Sequence, residues 1–218
     1  MPYDEKAIQE VRTIHKARHG QITARLNEFR EIWKSGSEET IFAELTFCLL
    51  TPQSKARLCW DKVEHMVSQD LLYHADADEL SSAIDPVRFK HTKAKRITEA
   101  RERFGPGGRT PIKGVIQDLP DAFEAREWLV KNVTGLGLKE ASHFLRNIGK
   151  GEDLAILDRH ILRNLKELGV INGVPSSLSR SIYLEIERKM DAFSRSIGIP
   201  MAHLDIVLWC RETGEIFK

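Results

Sequence analysis

Apolar residues recur with a helical period along almost the whole chain. Between residues 4 and 33 they stand at Ile8, Val11, Ile14, Ile22, Leu26, Phe29 and Trp33, and Gly20 among them predicts a break between two helices. Ser37 opens "SEETIFAELTFCLL" as an N-cap. Past its first turn that segment is apolar on every side, which predicts a central buried helix. "SKARLCWDKVEHMVSQ", "DELSSAI" and "TKAKRITEARERF" continue the pattern, the last closed by "GPGG", and residues 105–120 read as a Gly/Pro-rich loop. Asp121 caps "DAFEAREWLVKNV", Gly169 stops "DRHILRNLKEL", and Pro200 opens the last helix. Strand-like alternation never persists beyond four residues. The pattern predicts an all-α protein of about ten helices, without internal repeats or a disordered tail.

Composition adds exclusions. The chain has 218 residues, 41% apolar and 30% charged, with a net charge of +1, as in an ordinary soluble domain. No apolar run approaches the ~20 residues that cross a bilayer, and "MPYDEKAIQE" is too polar for a signal peptide, so an intracellular protein is expected. Cys48, Cys59 and Cys210 are too few and too scattered for a metal knuckle or an iron–sulfur cluster. Cys48 and Cys210 lie in apolar helical segments and read as buried free thiols. Between Lys90 and Arg109 seven Lys/Arg face two glutamates. This run is either a solvated helix face or a small, local nucleic-acid footprint.

The stretch "NVTGLGLKEASHFLRNIG" carries the first chemistry. A helix ending at Val133, a Gly135–Leu136–Gly137 turn and a new helix from Leu138 make a helix–hairpin–helix. Its glycines predict positive φ, and its amides, with the N-terminus of the next helix, suit a phosphate. Lys139 sits in the first turn of that helix, where the dipole disfavours a nearby ammonium. Such a lysine is either an amine poised to attack an aldehyde-level carbon or a phosphate-binding cation. Nineteen residues on, Asp158 precedes "RHILRNL" as an N-cap. A carboxylate fixed there can also steady a sugar with oxocarbenium character.

Hairpin, Lys139 and Asp158 together resemble the catalytic core of the helix–hairpin–helix DNA glycosylases. A lysine at this position marks the branch that both excises a base and cuts the abasic strand. "LLTPQSKA" resembles the segment from which these enzymes push an amide into the base stack, here Gln53. The length, "RFKHTKAKRI" and the ending "LWCRETGEIFK" are similar to the compact archaeal-type 8-oxoguanine DNA glycosylase/AP lyases, and the likeness runs from about Phe42 to Lys218. There are departures: "VTGLG" lacks the proline common before the first glycine, "GKGEDLAILD" has no proline, and Leu157–Asp158 replaces the usual Val–Asp. The four-cysteine cluster of other branches is absent, which argues against their substrates.

The resemblance implies two helical subdomains flanking a catalytic cleft. Residues 42–149 would carry the hairpin, while 1–41 and 150–218 pack together as the other. It implies a base-excision repair enzyme acting on double-stranded DNA that contains 8-oxoguanine or an abasic site. Lys139 and Asp158 would be catalytic. Gly135, Leu136 and Gly137 would hold the DNA backbone, and Gln53 would be the wedge. Phe89, Trp209 and Lys218 would form the base pocket. No cofactor or catalytic metal is required, though hairpin carbonyls could hold a monovalent cation. The chain is expected to be a monomer without membrane contact, in a prokaryotic cytoplasm near the nucleoid. Two rivals remain: a glycosylase for another damaged base, and a hairpin module that binds DNA without catalysis.

Overall fold

The computed structural model describes residues 3–218, and its regular elements are helices. In chain order they are α1 (Glu5–Ser35), α2 (Glu38–Leu50), α3 (Ala56–Ser68), α4 (Leu71–His74), α5 (Ala77–Ala83) and α6 (Lys90–Phe104). There follow α7 (Ile112–Asp118), α8 (Ala122–Asn132), α9 (Leu138–Asn147), α10 (Arg159–Glu167), α11 (Arg180–Ile197) and α12 (Met201–Thr213). Two of these boundaries correct the sequence reading. Gly20 lies inside α1 rather than between two helices, because Val11 and Ile22 stand three turns apart on one face and both bury fully. A buried stripe continuous across a glycine outweighs the ~1 kcal/mol that glycine costs a helix. Residues 105–120 are not wholly loop either: α7 forms there because Ile112 and Ile116, one turn apart, reach the core.

Two apolar clusters organise the molecule. The first joins α2 to α9 through Phe42, Leu45, Phe47, Ile97, Leu129 and Phe144, and Phe217 from the chain's tail packs into it. Helix α2 is its axis, buried at every position from Ile41 to Leu50. The second joins α1, α10, α11 and α12 through Val11, Leu26, Leu165, Met190, Phe193 and Leu208. Each fully buried leucine or phenylalanine contributes about 1.5–3 kcal/mol of transfer free energy. The cysteines are buried free thiols. Burial pushes the Cys48 and Cys59 thiols up, Cys59 to about 11.

A buried ion pair links the clusters. Arg126 of α8 donates to both carboxylate oxygens of Glu187 on α11, at 2.5 and 2.8 Å. Glu187 also accepts the Ala155 N–H at 2.9 Å, and the Tyr183 hydroxyl donates to the Ala155 carbonyl at 2.6 Å. The segment 154–158 is thereby tied down just before α10 begins.

Candidate active site

The hairpin is built as a tight reversal between α8 and α9. The Val133 carbonyl accepts the Leu136 N–H at 3.2 Å, and Gly135 takes φ +98°. A Cβ at Gly135 would stand 2.6 Å from Arg96 Cδ, so both backbone and neighbour demand glycine. Gly137 departs from the expectation of positive φ. Its φ is −98° and ψ −176°, extended backbone open to other residues. Its smallness serves packing instead, because a Cβ would meet Glu140 Oε2 at 3.2 Å. That same carboxylate oxygen accepts the Gly137 N–H at 3.3 Å. Among the described residues, the carbonyls of Thr134, Gly135 and Leu136 accept no hydrogen bond.

In the first turn of α9, Lys139 enters a cleft of about 860 Å³ that both apolar clusters help to wall. Its side chain is 21% exposed and its Nζ lies 3.8 Å from Glu140 Oε1. Asp158, the N-cap of α10, lines the same cleft. Its Oδ1 accepts both the His160 and Ile161 N–H at 2.8 Å, which fixes the carboxylate's direction.

A further carboxyl stands with this pair. Asp205 of α12 is buried, and its carboxyl is pushed up to about 6. Burial is the main cause; the Arg146 guanidinium at 3.8 Å opposes it and the Asp158 charge reinforces it. His143, one turn beyond Lys139, is 5% exposed, and neither ring nitrogen has a hydrogen-bond partner among the described residues. Burial first, then the charges of Lys139 and Arg146, hold it well below the ordinary histidine range, so it is a neutral imidazole.

Lys218 closes the inner end. Its ammonium pairs with Glu44 of α2 and sits 3.2 Å from the centre of the Trp60 ring. Glu44 accepts in addition from Asn147 Nδ2 at 3.1 Å. Burial pulls the Lys218 ammonium below the usual lysine range, with Glu44 opposing. Trp209 lines the cleft edge-on to His160, ring centres 5.3 Å apart. At the rim, Gln53 is exposed at φ +55° in the turn that follows α2. Beneath it the buried Lys93 donates to the carbonyls of Leu50 and Pro52, at 2.7 and 2.8 Å, and to Ser54 Oγ at 3.1 Å.

Phe89 is a correction. It does not line the cleft; it caps α6 at φ +59° with 56% of its surface exposed. The left-handed backbone turns its ring outward, 5.7 Å from the Arg88 guanidinium, whereas Arg88 itself reaches the cleft.

The basic run at Lys90–Arg109 divides by partner. Lys90 pairs with Asp85, Lys93 supports the Gln53 turn, Arg101 donates to the Leu72 carbonyl and Arg103 binds Asn132. Lys95 and Arg96 instead line a hollow shared with Thr134 of the hairpin.

The chain as a whole has counterparts among known proteins. A family model described as 8-oxoguanine DNA glycosylase matches residues 22–199. The chain belongs to the 8-oxoguanine DNA glycosylase family. The 8-oxoguanine DNA glycosylase/AP lyase of Fusobacterium nucleatum is 46% identical over 97% of both chains, and that of the archaeon Korarchaeum cryptofilum 38% over 97% of both. Among solved structures, the 8-oxoguanine DNA glycosylase of Thermotoga maritima superposes with a TM-score of 0.88 at 32% identity. It covers 98% of this chain and 99% of its own. The Methanocaldococcus jannaschii 8-oxoguanine glycosylase/lyase, solved with a 15mer DNA containing 8-oxoguanine, gives 0.86 at 33%, covering 96% and 100%.

Five cleft-side residues of this glycosylase-family chain are invisible to motif reading: Glu44, Trp60, His143, Arg146 and Asp205. Two left a trace. Glu44 interrupts the apolar run "IFAELTFCLL", and Asp205 interrupts "MAHLDIVLW". A lone carboxyl in an apolar helix needs a buried partner or a task.

Proposed function

We propose that this chain removes 8-oxoguanine from duplex DNA and then cuts the strand through a Schiff base on Lys139. One observation carries the reading: Lys139 and Asp158, from the two sides of the molecule, share one cleft that Trp209, His143 and Lys218 also line. Names and structures of the relatives support it. Both catalytic groups come from one chain, so a monomer suffices.

A base inside a duplex is out of reach, so it must be extruded, which costs a few kcal/mol. Gln53, exposed on its supported turn, fills the gap left in the stack. The Gly135–Gly137 hairpin grips the backbone. Thr134, Gly135 and Leu136 have the free carbonyl oxygens to hold a monovalent cation, and such an ion would supply positive charge beside a phosphate. Trp209 gives the extruded purine an aromatic surface, and Lys218 with His143 offers polar atoms to its edge.

The Nζ lone pair of Lys139 forms a bond to C1′ as the bond from C1′ to the base breaks, and that electron pair leaves on the base, which takes up a proton. Asp158 opposes the positive charge that grows on the sugar. Ring opening gives an imine between Lys139 and C1′. Loss of a C2′ proton then expels the 3′ phosphate by β-elimination. Asp205, whose carboxyl is held near neutrality beside Lys139 and Asp158, is the group placed to exchange protons with the amine.

The test is borohydride trapping on a duplex with one 8-oxoguanine. The wild type should form a covalent adduct, and Lys139→Gln should form none while still binding the duplex. Adduct retained in Lys139→Gln would place the nucleophile elsewhere. Among the described residues no helix is long and apolar enough to cross a membrane. We assign the chain to the prokaryotic cytoplasm, where its DNA substrate lies.

A further inference from the structure

Away from the cleft, three histidines converge where α1 packs on α12. His15 and His19 are one turn apart on α1, hence on one face, and His203 comes from α12. The helices run antiparallel there, since Arg211 of α12 binds Glu10 while His203 meets His15. His15 Nε2 and His203 Nδ1 are 3.0 Å apart, and one ligating nitrogen from each of the three rings lies within 4.8 Å of the others. The ring centres stand 5.2 to 5.4 Å apart.

We infer that His15, His19 and His203 form a transition-metal site, best suited to Zn²⁺, that clips α1 to α12. Tetrahedral zinc with Zn–N bonds of 2.0–2.1 Å separates its ligand nitrogens by about 3.3 Å. The observed separations, 3.0 Å for His15 and His203 and at most 4.8 Å for the set, bracket that value. Two histidines at i and i+4 with a third from another element are a donor set suited to zinc, copper or nickel. A water completes the tetrahedron on the exposed His19 side. Metal ligation requires neutral imidazoles. Burial, and then neighbouring histidine, holds His15 and His203 below the ordinary range, while Arg30 also lowers His203 and Glu152 opposes. Glu152 is itself clamped by Arg30 at 2.6 and 2.8 Å, leaving the three imidazoles as the donors.

The site would be structural. His203 lies two residues before Asp205 and six before Trp209, so a metal there would fix the register of the helix that presents both to the cleft. The chain would thus gain a stabilising ion remote from its chemistry, independent of the catalytic reading.

The experiment is calorimetric titration of Zn²⁺ into tag-free, chelator-treated full-length protein, with thermal unfolding alongside. Wild type should bind one Zn²⁺ per chain and melt at a higher temperature with zinc than with chelator. His19→Ala, whose exposed side chain is dispensable to packing, and His203→Asn should each weaken binding by at least about tenfold. Both should keep wild-type helix content and borohydride-trapping yield. No stoichiometric binding by the wild type, or equal binding by the folded His19→Ala protein, would overturn the site and leave three packed, hydrogen-bonded rings.

Discussion

At the scale of single residues, the cleft is governed by what burial does to charge. Asp205 makes the point most simply, with a carboxyl raised from 3.8 to about 6. Below about pH 4 the group is protonated in folded and unfolded chains alike, and its native environment is fully favourable. As pH rises from about 4 to 6, the unfolded chain loses the proton first, so the folded state loses stability, up to roughly 3 kcal/mol in all. Asp205→Asn lacks this loss. Denaturant midpoints of the two proteins should therefore diverge between about pH 4 and 6, with the variant gaining on the wild type as pH rises and the difference levelling off above that range. A difference that stays constant with pH would mean Asp205 titrates like a solvated carboxyl. In the same pair, a role in proton exchange would flatten the low-pH limb of the single-turnover rate in Asp205→Asn. A purely structural role would leave that limb where it was.

At the scale of elements, the turn after α2 shows how a buried cation can position an exposed side chain. Gln53 has positive φ, and its side chain makes no hydrogen bond among the described residues. Its presentation depends on Lys93, which reaches from α6 to two carbonyls and a hydroxyl of the same turn. Burial pulls the Lys93 ammonium below its usual range, so the contact is held against a desolvation penalty. Methionine at position 93 would fill the stem's volume without the three bonds. Lys93→Met should then keep a stability close to wild type but excise 8-oxoguanine from duplex about tenfold more slowly. Trapping on an abasic duplex, where no base needs extruding, should fall much less. Equal loss on both substrates would make Lys93 a general support of the fold rather than of the wedge.

The same scale explains what could be read from the sequence. Lys139 in a first turn and Asp158 at an N-cap follow from local signals, a G-x-G before a helix and an aspartate before an apolar-periodic run. Phe89 misled because periodicity says nothing about the sign of φ, and its left-handed backbone sends the ring outward. The continuity of α1 through Gly20 was hidden for a related reason: a glycine signals a break only when no partner helix holds its flanks. His143, Trp60 and Glu44 meet through packing across three helices, which no local pattern encodes. The histidine triad was half legible, since His15 and His19 have i,i+4 spacing while His203 arrives from the other end of the chain.

For the whole molecule, the question is how a chain of net charge +1 holds a polyanion. Bulk attraction is weak, so affinity must come from a few placed contacts and should carry a shallow salt dependence. The basic helix α6 sharpens this. Of its cations, Lys90, Lys93, Arg101 and Arg103 are bound within the protein, which leaves Lys95 and Arg96 beside hairpin residue Thr134. Arg96 also packs where a Gly135 Cβ would sit, so its guanidinium and the hairpin amides form one surface. If both cations meet phosphates, each contributes about 0.9 to the slope of log K against log salt. Lys95→Gln with Arg96→Gln should then reduce that slope by roughly 2 and weaken undamaged and 8-oxoguanine duplexes by the same factor. Fluorescence anisotropy of both duplexes across a salt series, using the non-cleaving Lys139→Gln background, measures slope and ratio together. An unchanged slope would show that α6 is only a solvated face, and that the hairpin and the cleft rim hold the backbone alone. A loss confined to the damaged duplex would instead put Lys95 or Arg96 in lesion recognition, although neither lines the cleft.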